Sequence, residues 1–327
     1  MARYTPVVFL VVLTSCMEER FELGDSTARS TRPLCAATAE PGFFRCHART
    51  RTDEFGRAAA SAAPIPGSLT PDDLRRAYAI VAGGGRGVTV AVIAASDNPR
   101  AASDLAVYRE QFHLAPCAAD DGCFEKVNQR GQGSPLPAPD EGWAGEISLD
   151  LNMVSATCPR CRILLVEADS ASDADLGTAV NTAVELGADV VSMSFGGPEN
   201  ESVVEDAQRY YTHPGVLLVA AGGDDGYDAQ NQEFPAAAQS VLAVGGTTLI
   251  AESGSARGFR EEVWNSNGGA SNSGCSRFID KPSYQRRTGC ATRALNDVAA
   301  FADPEIGVAV YDSFDLAPGW GAFGGTS

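Results

Sequence analysis

Five short apolar runs, each followed closely by small or acidic residues, constrain this chain more than any other feature. They fall at residues 88–94, 162–167, 189–194, 216–221 and 241–247. Near-continuous hydrophobic character over six or seven residues marks a strand buried on both faces, rather than a half-exposed strand that alternates. Helical patterns separate the runs at 101–112, 174–186 and 205–211. Buried strands alternating with helices specify a mostly parallel sheet covered on both faces. In such sheets the functional loops gather at the carboxyl ends of the strands. Asp97, the segment 194–197 and Asp224 all stand at such ends. Gly83, Gly84, Gly85 and Gly87 precede their strand instead of following it, so they read as a turn and not as a dinucleotide fingerprint.

One further helix carries chemistry. Ile147, Leu151 and Val154 repeat at helical spacing and define a core-facing side. Glu146 and Asp150 are four residues apart, so they stack along the edge of that side. In water such a pair is an ordinary acidic edge, costing a few tenths of a kcal/mol. At a buried position the two carboxyls must share a proton or bind a third group, with shifted pKa values.

Four segments together resemble the sedolisins, serine-carboxyl peptidases with a subtilisin-like fold. Gly145-Glu146 through Asp150 resembles the Glu-x-x-x-Asp helix. Gly223-Asp224-Asp225-Gly226, with Phe234-Pro235-Ala236 and Val244-Gly245-Gly246-Thr247 downstream, resembles the oxyanion loop. Asp297-Val298 with Ala302-Asp303-Pro304 and Gly307 resembles the stretch before the nucleophile, and Gly324-Gly325-Thr326-Ser327 the nucleophile motif itself. Each motif is weak alone; their order from about residue 69 to Ser327 makes the match specific.

The resemblance implies an α/β, subtilisin-like three-layer fold with a mostly parallel central sheet and helices on both faces. It implies an endopeptidase in which Ser327 is the nucleophile, Glu146 its general base, Asp150 the orienter of Glu146 and Asp224 the oxyanion donor. Asp225 is the neighbouring alternative for that last role. Ser194, Phe195, Gly196 and Gly197 are expected to pair with an extended substrate backbone, a general way to hold a peptide. In the family a helix and a calcium site follow the nucleophile. The expectation is therefore a domain without its C-terminal helix, and no metal or other cofactor.

The implied chemistry is coherent. A serine hydroxyl needs a base within reach, and the base needs an orienter. The three histidines, His47, His113 and His213, lie in contexts that suggest surface or packing roles. A carboxylate base works in acid, where imidazole is already protonated. An aspartate can donate to an oxyanion only while it holds a proton. Both requirements place activity well below neutral pH. A neutral subtilisin using Asp97 lacks a suitably placed histidine. The competing reading from another class is a non-catalytic surface lipoprotein that keeps the fold as a peptide-binding module.

Composition bears on partners and compartment. A formal net charge of -17 argues against nucleic acid. Residues 1–16 read as an export signal, ending in Leu13-Thr14-Ser15-Cys16, which resembles a lipobox with Cys16 as the lipidated residue. A chain secreted or lipid-anchored at the bacterial envelope, acting as a monomer on protein or peptide substrates, is the expectation. Apart from Cys16, the cysteines fall into close pairs: Cys35 with Cys46, Cys117 with Cys123, Cys158 with Cys161, and Cys275 with Cys290. Export suggests local disulfides on those pairs, with connectivity open. Residues 17–68 show no strong periodicity and read as a polar extension, a tether or a short pro-segment. The peptidase domain is expected to span 69–327, its first helix opened by Thr70 and Pro71.

Overall fold

The structure is a computed structural model that describes residues 30–36, 42–81, 83–229, 232–266 and 269–327. The export signal and Cys16 lie outside the described residues. In chain order the first elements are β1 (Thr31–Pro33), β2 (Arg45–Cys46), β3 (Arg49–Arg51), α1 (Pro71–Ala77), β4 (Thr89–Ala95), α2 (Ala101–Gln111), β5 (Phe124–Asn128) and α3 (Glu141–Thr157). There follow β6 (Arg162–Ala168), α4 (Asp173–Glu185), β7 (Val190–Met193), β8 (Phe195–Pro198), α5 (Val203–Tyr210), β9 (Leu217–Ala221), β10 (Asp225–Tyr227), β11 (Glu233–Phe234) and β12 (Val241–Ala251). The last are β13 (Phe259–Val263), β14 (Asn265–Ser266), β15 (Gly269–Asp280), β16 (Thr292–Leu295), β17 (Val298–Phe301), β18 (Val308–Tyr311) and β19 (Trp320–Gly324).

The apolar runs form one sheet in the order β5-β6-β4-β7-β9-β12-β13, with β17 also on β12. Every neighbour in it is parallel except β13, which runs antiparallel to β12. Ala91, Val92, Ile93, Ala94 and Ala95 at its centre are sealed from solvent, as a strand covered on both faces requires. Helix α3 packs with α1, α2 and β4, whereas α4 packs with α5, β4, β6 and β7. The two helix groups and the sheet make the three layers expected of a subtilisin-like α/β fold.

Local signals set the helix starts. Thr70 and Asp73 form a reciprocal capping box ahead of α1, with Pro71 at its first position. Asp140 caps α3 by accepting from Trp143 N at 3.0 Å, and Ser172 caps α4. Three glycines of the cluster before β4, Gly83, Gly85 and Gly87, have positive φ, as a turn demands.

Helix α3 is buried from Trp143 through Asn152, so Glu146 and Asp150 lie inside the protein. The described part of the extension is not a free tether. β1 pairs with β3, β3 pairs with β19, and β2 pairs with β8. Strands of two or three residues are too short to show a periodicity. They are held by backbone bonds to residues far along the chain and by the Cys35–Cys46 disulfide. The other three close cysteine pairs, Cys117–Cys123, Cys158–Cys161 and Cys275–Cys290, are bonded as well.

Candidate active site

Three parts of the chain that are distant in sequence converge beside the middle of α3. The loop after β19 brings Ser327 to within 2.9 Å of Glu146, its Oγ donating to Oε2. The same Oε2 accepts the backbone amide of Ala48 at 2.8 Å. Glu146 is fully buried, and its Oε1 has no hydrogen-bond partner among the described residues. One turn along α3, Asp150 Oδ1 accepts the hydroxyl of Ser194 at 2.6 Å, while Oδ2 has no hydrogen-bond partner among the described residues. The helix spacing thus stacks two buried carboxyls. Burial, then repulsion from Asp150, pushes Glu146 well above the usual carboxylate range. Burial raises Asp150 too, and the Ser194 hydroxyl opposes that rise. Two carboxyls this close titrate as a pair and not one by one.

Asp224 follows β9, at the carboxyl end of the sheet. Its Oδ1 accepts both the backbone amide and the hydroxyl of Thr326, at 2.8 and 2.9 Å. The Thr326 hydroxyl oxygen in turn accepts from Gly223 N at 3.0 Å, which leaves its own hydrogen for Asp224. With Oδ1 accepting two bonds, a proton on Asp224 belongs on Oδ2. Burial lifts Asp224 to about 6, against the pull of the Thr326 hydrogen bonds and of Arg49 and Arg45. Asp225, the alternative, turns outward and pairs with Arg45.

The segment 194–197 lies along the other wall. β8 sits between β11 and β2, antiparallel to each. Arg45 is opposite Gly196 and Cys46 opposite Phe195, and His47 N donates to Ser194 O at 3.1 Å. His47 is therefore not superficial; it is buried, its Nε2 3.7 Å from Glu233 Oε2. Burial lowers His47 to about 3 and raises Glu233 to about 8, so both are neutral in mild acid and the contact is no ion pair there. A Cβ at Gly196 would lie 2.8 Å from that Glu233 oxygen and 3.0 Å from His47 Nε2, so only glycine leaves the imidazole its place.

The remaining sequence candidates lie elsewhere. Lys126 holds Asp97 and, at 3.0 Å, Glu167 at the ends of β4 and β6. His213 Nε2 contacts Tyr210 O at 3.0 Å, and His113 closes α2 with a positive φ of 53°. Among the described residues no group of three or more His, Cys, Asp and Glu could hold a metal. Sequence reasoning missed Thr326 as the anchor of Asp224, and Ala48 as a partner of Glu146. The first stands beside a serine already singled out; the second has no local signal.

Residues 140–300 match the model of the subtilase family. Kumamolisin of Bacillus sp. (strain MN-32) is 32% identical over 307 residues, spanning 86% of this chain and 52% of that protein. Thermitase of Thermoactinomyces vulgaris is 32% identical over 110 residues, 32% of this chain and 39% of that protein. The chain thus spans about half, or less, of the length of these relatives. Among solved structures, a Pseudomonas sedolisin complexed with two molecules of pseudo-iodotyrostatin aligns with a TM-score of 0.66. It covers 82% of this chain and 77% of its own, at 24% identity, and so speaks for the fold.

Proposed function

We propose that this chain, which carries a subtilase-family domain of the sedolisin type, holds the catalytic centre of a serine-carboxyl endopeptidase acting in acid. The observation that carries the reading is the 2.9 Å hydrogen bond from Ser327 Oγ to a buried glutamate to which, among the described residues, no histidine side chain is hydrogen-bonded. Ser327 attacks the substrate carbonyl as Glu146 takes its proton. Asp150, one helical turn along and fixed by Ser194, orients Glu146. Protonated Asp224 donates from Oδ2 to the oxyanion. Glu146 then returns its proton to the leaving amine, and water resolves the ester by the same steps in reverse order.

The pH dependence follows from the two carboxyl groups. Asp224 ionises as pH rises through about 6 and ceases to donate. The lower limb lies where the Glu146–Asp150 pair takes its second proton and ceases to accept. The profile is a bell confined to acid. The four disulfides favour an exported location, because such bonds persist in oxidising compartments.

The test is hydrolysis of acid-denatured haemoglobin by the chain, Glu146→Gln, Ser327→Ala and the double variant. Each single variant is expected to lose at least ~10²-fold in kcat, and the double variant no more, because residues acting as one unit are not additive. Full activity in Ser327→Ala would sink the assignment.

A further inference from the structure

Helix α3 is gripped from behind. Ala144 and Ser148 are four residues apart, as are Glu146 and Asp150, and two residues turn a helix by about 200°. The first pair therefore lies on the opposite side of α3 from the second. Asn98, just past β4, takes hold of that opposite side: its Nδ2 donates to Ala144 O at 3.1 Å and to Ser148 Oγ at 3.0 Å. One residue earlier, Asp97 N donates to Ala138 O at 3.1 Å, and Asp97 forms an isolated bridge with Pro139. The approach to α3 and its first two turns are thus tied to one dipeptide.

Asn98 is in turn held from the sheet. It has no exposed surface. Its N–H donates to Glu167 Oε1 of β6 at 3.1 Å, its carbonyl accepts Lys126 Nζ of β5 at 2.7 Å, and its Oδ1 accepts Arg100 N at 2.8 Å. Every polar group of the residue is therefore bonded, and none can shift without leaving a buried partner unpaired. The apolar contacts of buried Ile147 and Leu151 also hold α3, but such contacts are non-directional. Hydrogen bonds have a direction, so the Asn98 amide can set both the rotation and the height of the helix. Contacts run without a break from β5 and β6 through Asn98 to the back of α3, and from its front through Glu146 Oε2 to Ser327 Oγ at 2.9 Å.

We infer that Asn98 is a positioning residue for the general base: its grip on Ala144 and Ser148 sets the reach of Glu146 to Ser327. The inference rests on the peptidase reading above. Asn98 acts through Glu146 and takes no part in the bond changes. A misplacement of about 1 Å, caused far from the chemistry, can cost ~10²-fold in rate, so a small rotation of α3 is enough.

The experiment is steady-state hydrolysis of acid-denatured haemoglobin by the chain, Asn98→Ala, Ser148→Ala and their double variant, and by Glu146→Gln with and without each single change. Circular dichroism and thermal unfolding report folding. Asn98→Ala keeps the backbone bonds to Glu167 and Lys126 but releases α3. Its kcat should fall by roughly 10–100-fold while KM stays within about twofold. Ser148→Ala removes one of the two acceptors and should cost roughly 2–5-fold in kcat. It should add nothing to Asn98→Ala, because the two ends of one bond are not additive. In Glu146→Gln neither change should lower kcat further. An equal loss in the Glu146→Gln background would overturn the inference, since a merely structural role acts there too. An unchanged kcat in folded Asn98→Ala would also overturn it. If Asn98→Ala does not fold, Ser148→Ala decides, and a kcat equal to that of the unaltered chain would overturn the inference. Full activity in Glu146→Gln would overturn the peptidase reading and this inference with it.

Discussion

Thr326 and Asp224 are joined twice: the backbone amide and the hydroxyl of Thr326 both donate to Oδ1 of Asp224, at 2.8 and 2.9 Å. The residue before Ser327 thereby leaves Oδ2 as the oxygen of Asp224 that can hold a proton.

Thr326→Val removes the hydroxyl and leaves Gly223 N without its acceptor. The hydroxyl favours ionised Asp224, so its loss raises the Asp224 pKa. The upper limb of the pH–activity profile should therefore move to higher pH while kcat falls by roughly 10–100-fold, as the carboxyl loses its orientation. Steady-state kinetics across the acid range would measure both, and an unmoved limb would count against the role given to Thr326.

Ser194→Ala deletes the 2.6 Å bond to Asp150 Oδ1. That bond opposes the rise that burial imposes on Asp150, so its loss makes the pair bind a second proton more readily. The acid limb should shift upward by about one unit, with a kcat loss of roughly tenfold, the range of a hydrogen bond to a charged group. Backbone pairing through Ser194 O remains, so KM should change little.

Stability should be greater in acid than above neutrality. Burial raises Asp173 to about 7, and Glu167 and Glu233 to about 8. Each group binds its proton more tightly folded than unfolded. The stability it contributes is fully present below the unfolded value near 4 and is lost as pH rises through the folded value. Unfolding followed calorimetrically should give a higher Tm at pH 4 than at pH 8. In mid-sized domains 1 kcal/mol moves Tm by roughly 2–4 °C, so a difference of several degrees is expected.

Lys126 reaches Asp97, Glu167 at 3.0 Å and Asn98 O at 2.7 Å, all in a nearly closed site. Lys126→Met strands two carboxyls there, which should cost about 3 kcal/mol near pH 8. In acid the cost should shrink, because the carboxyls can take protons instead. Denaturant titrations at the two pH values test this, and equal losses at both would contradict the pairing.

The mostly parallel sheet was legible because each run at 88–94, 162–167, 189–194, 216–221 and 241–247 is apolar on both faces, a property written into adjacent residues. The start of α1 was legible for the same reason: Thr70 and Pro71 act on neighbouring residues. The spacing of Glu146 and Asp150 placed two carboxyls together, since a helix fixes positions i and i+4. The bonded cysteines are likewise near neighbours in sequence.

Tertiary structure alone decided the rest. Nothing near Ala48 announces an amide on Glu146, 98 residues away. Nothing near His47 announces a strand partner at Ser194 or a pocket wall at Glu233. Those contacts join backbone groups, which every residue carries, through strands too short to leave a periodic trace. The burial that shifts Glu146 and Asp224 is equally invisible in sequence, because it depends on which distant segments close over them. Local covalent order fixes the elements and the spacing of side chains upon them. Only the packed chain fixes which backbone lies in the cleft and which carboxyls lose water.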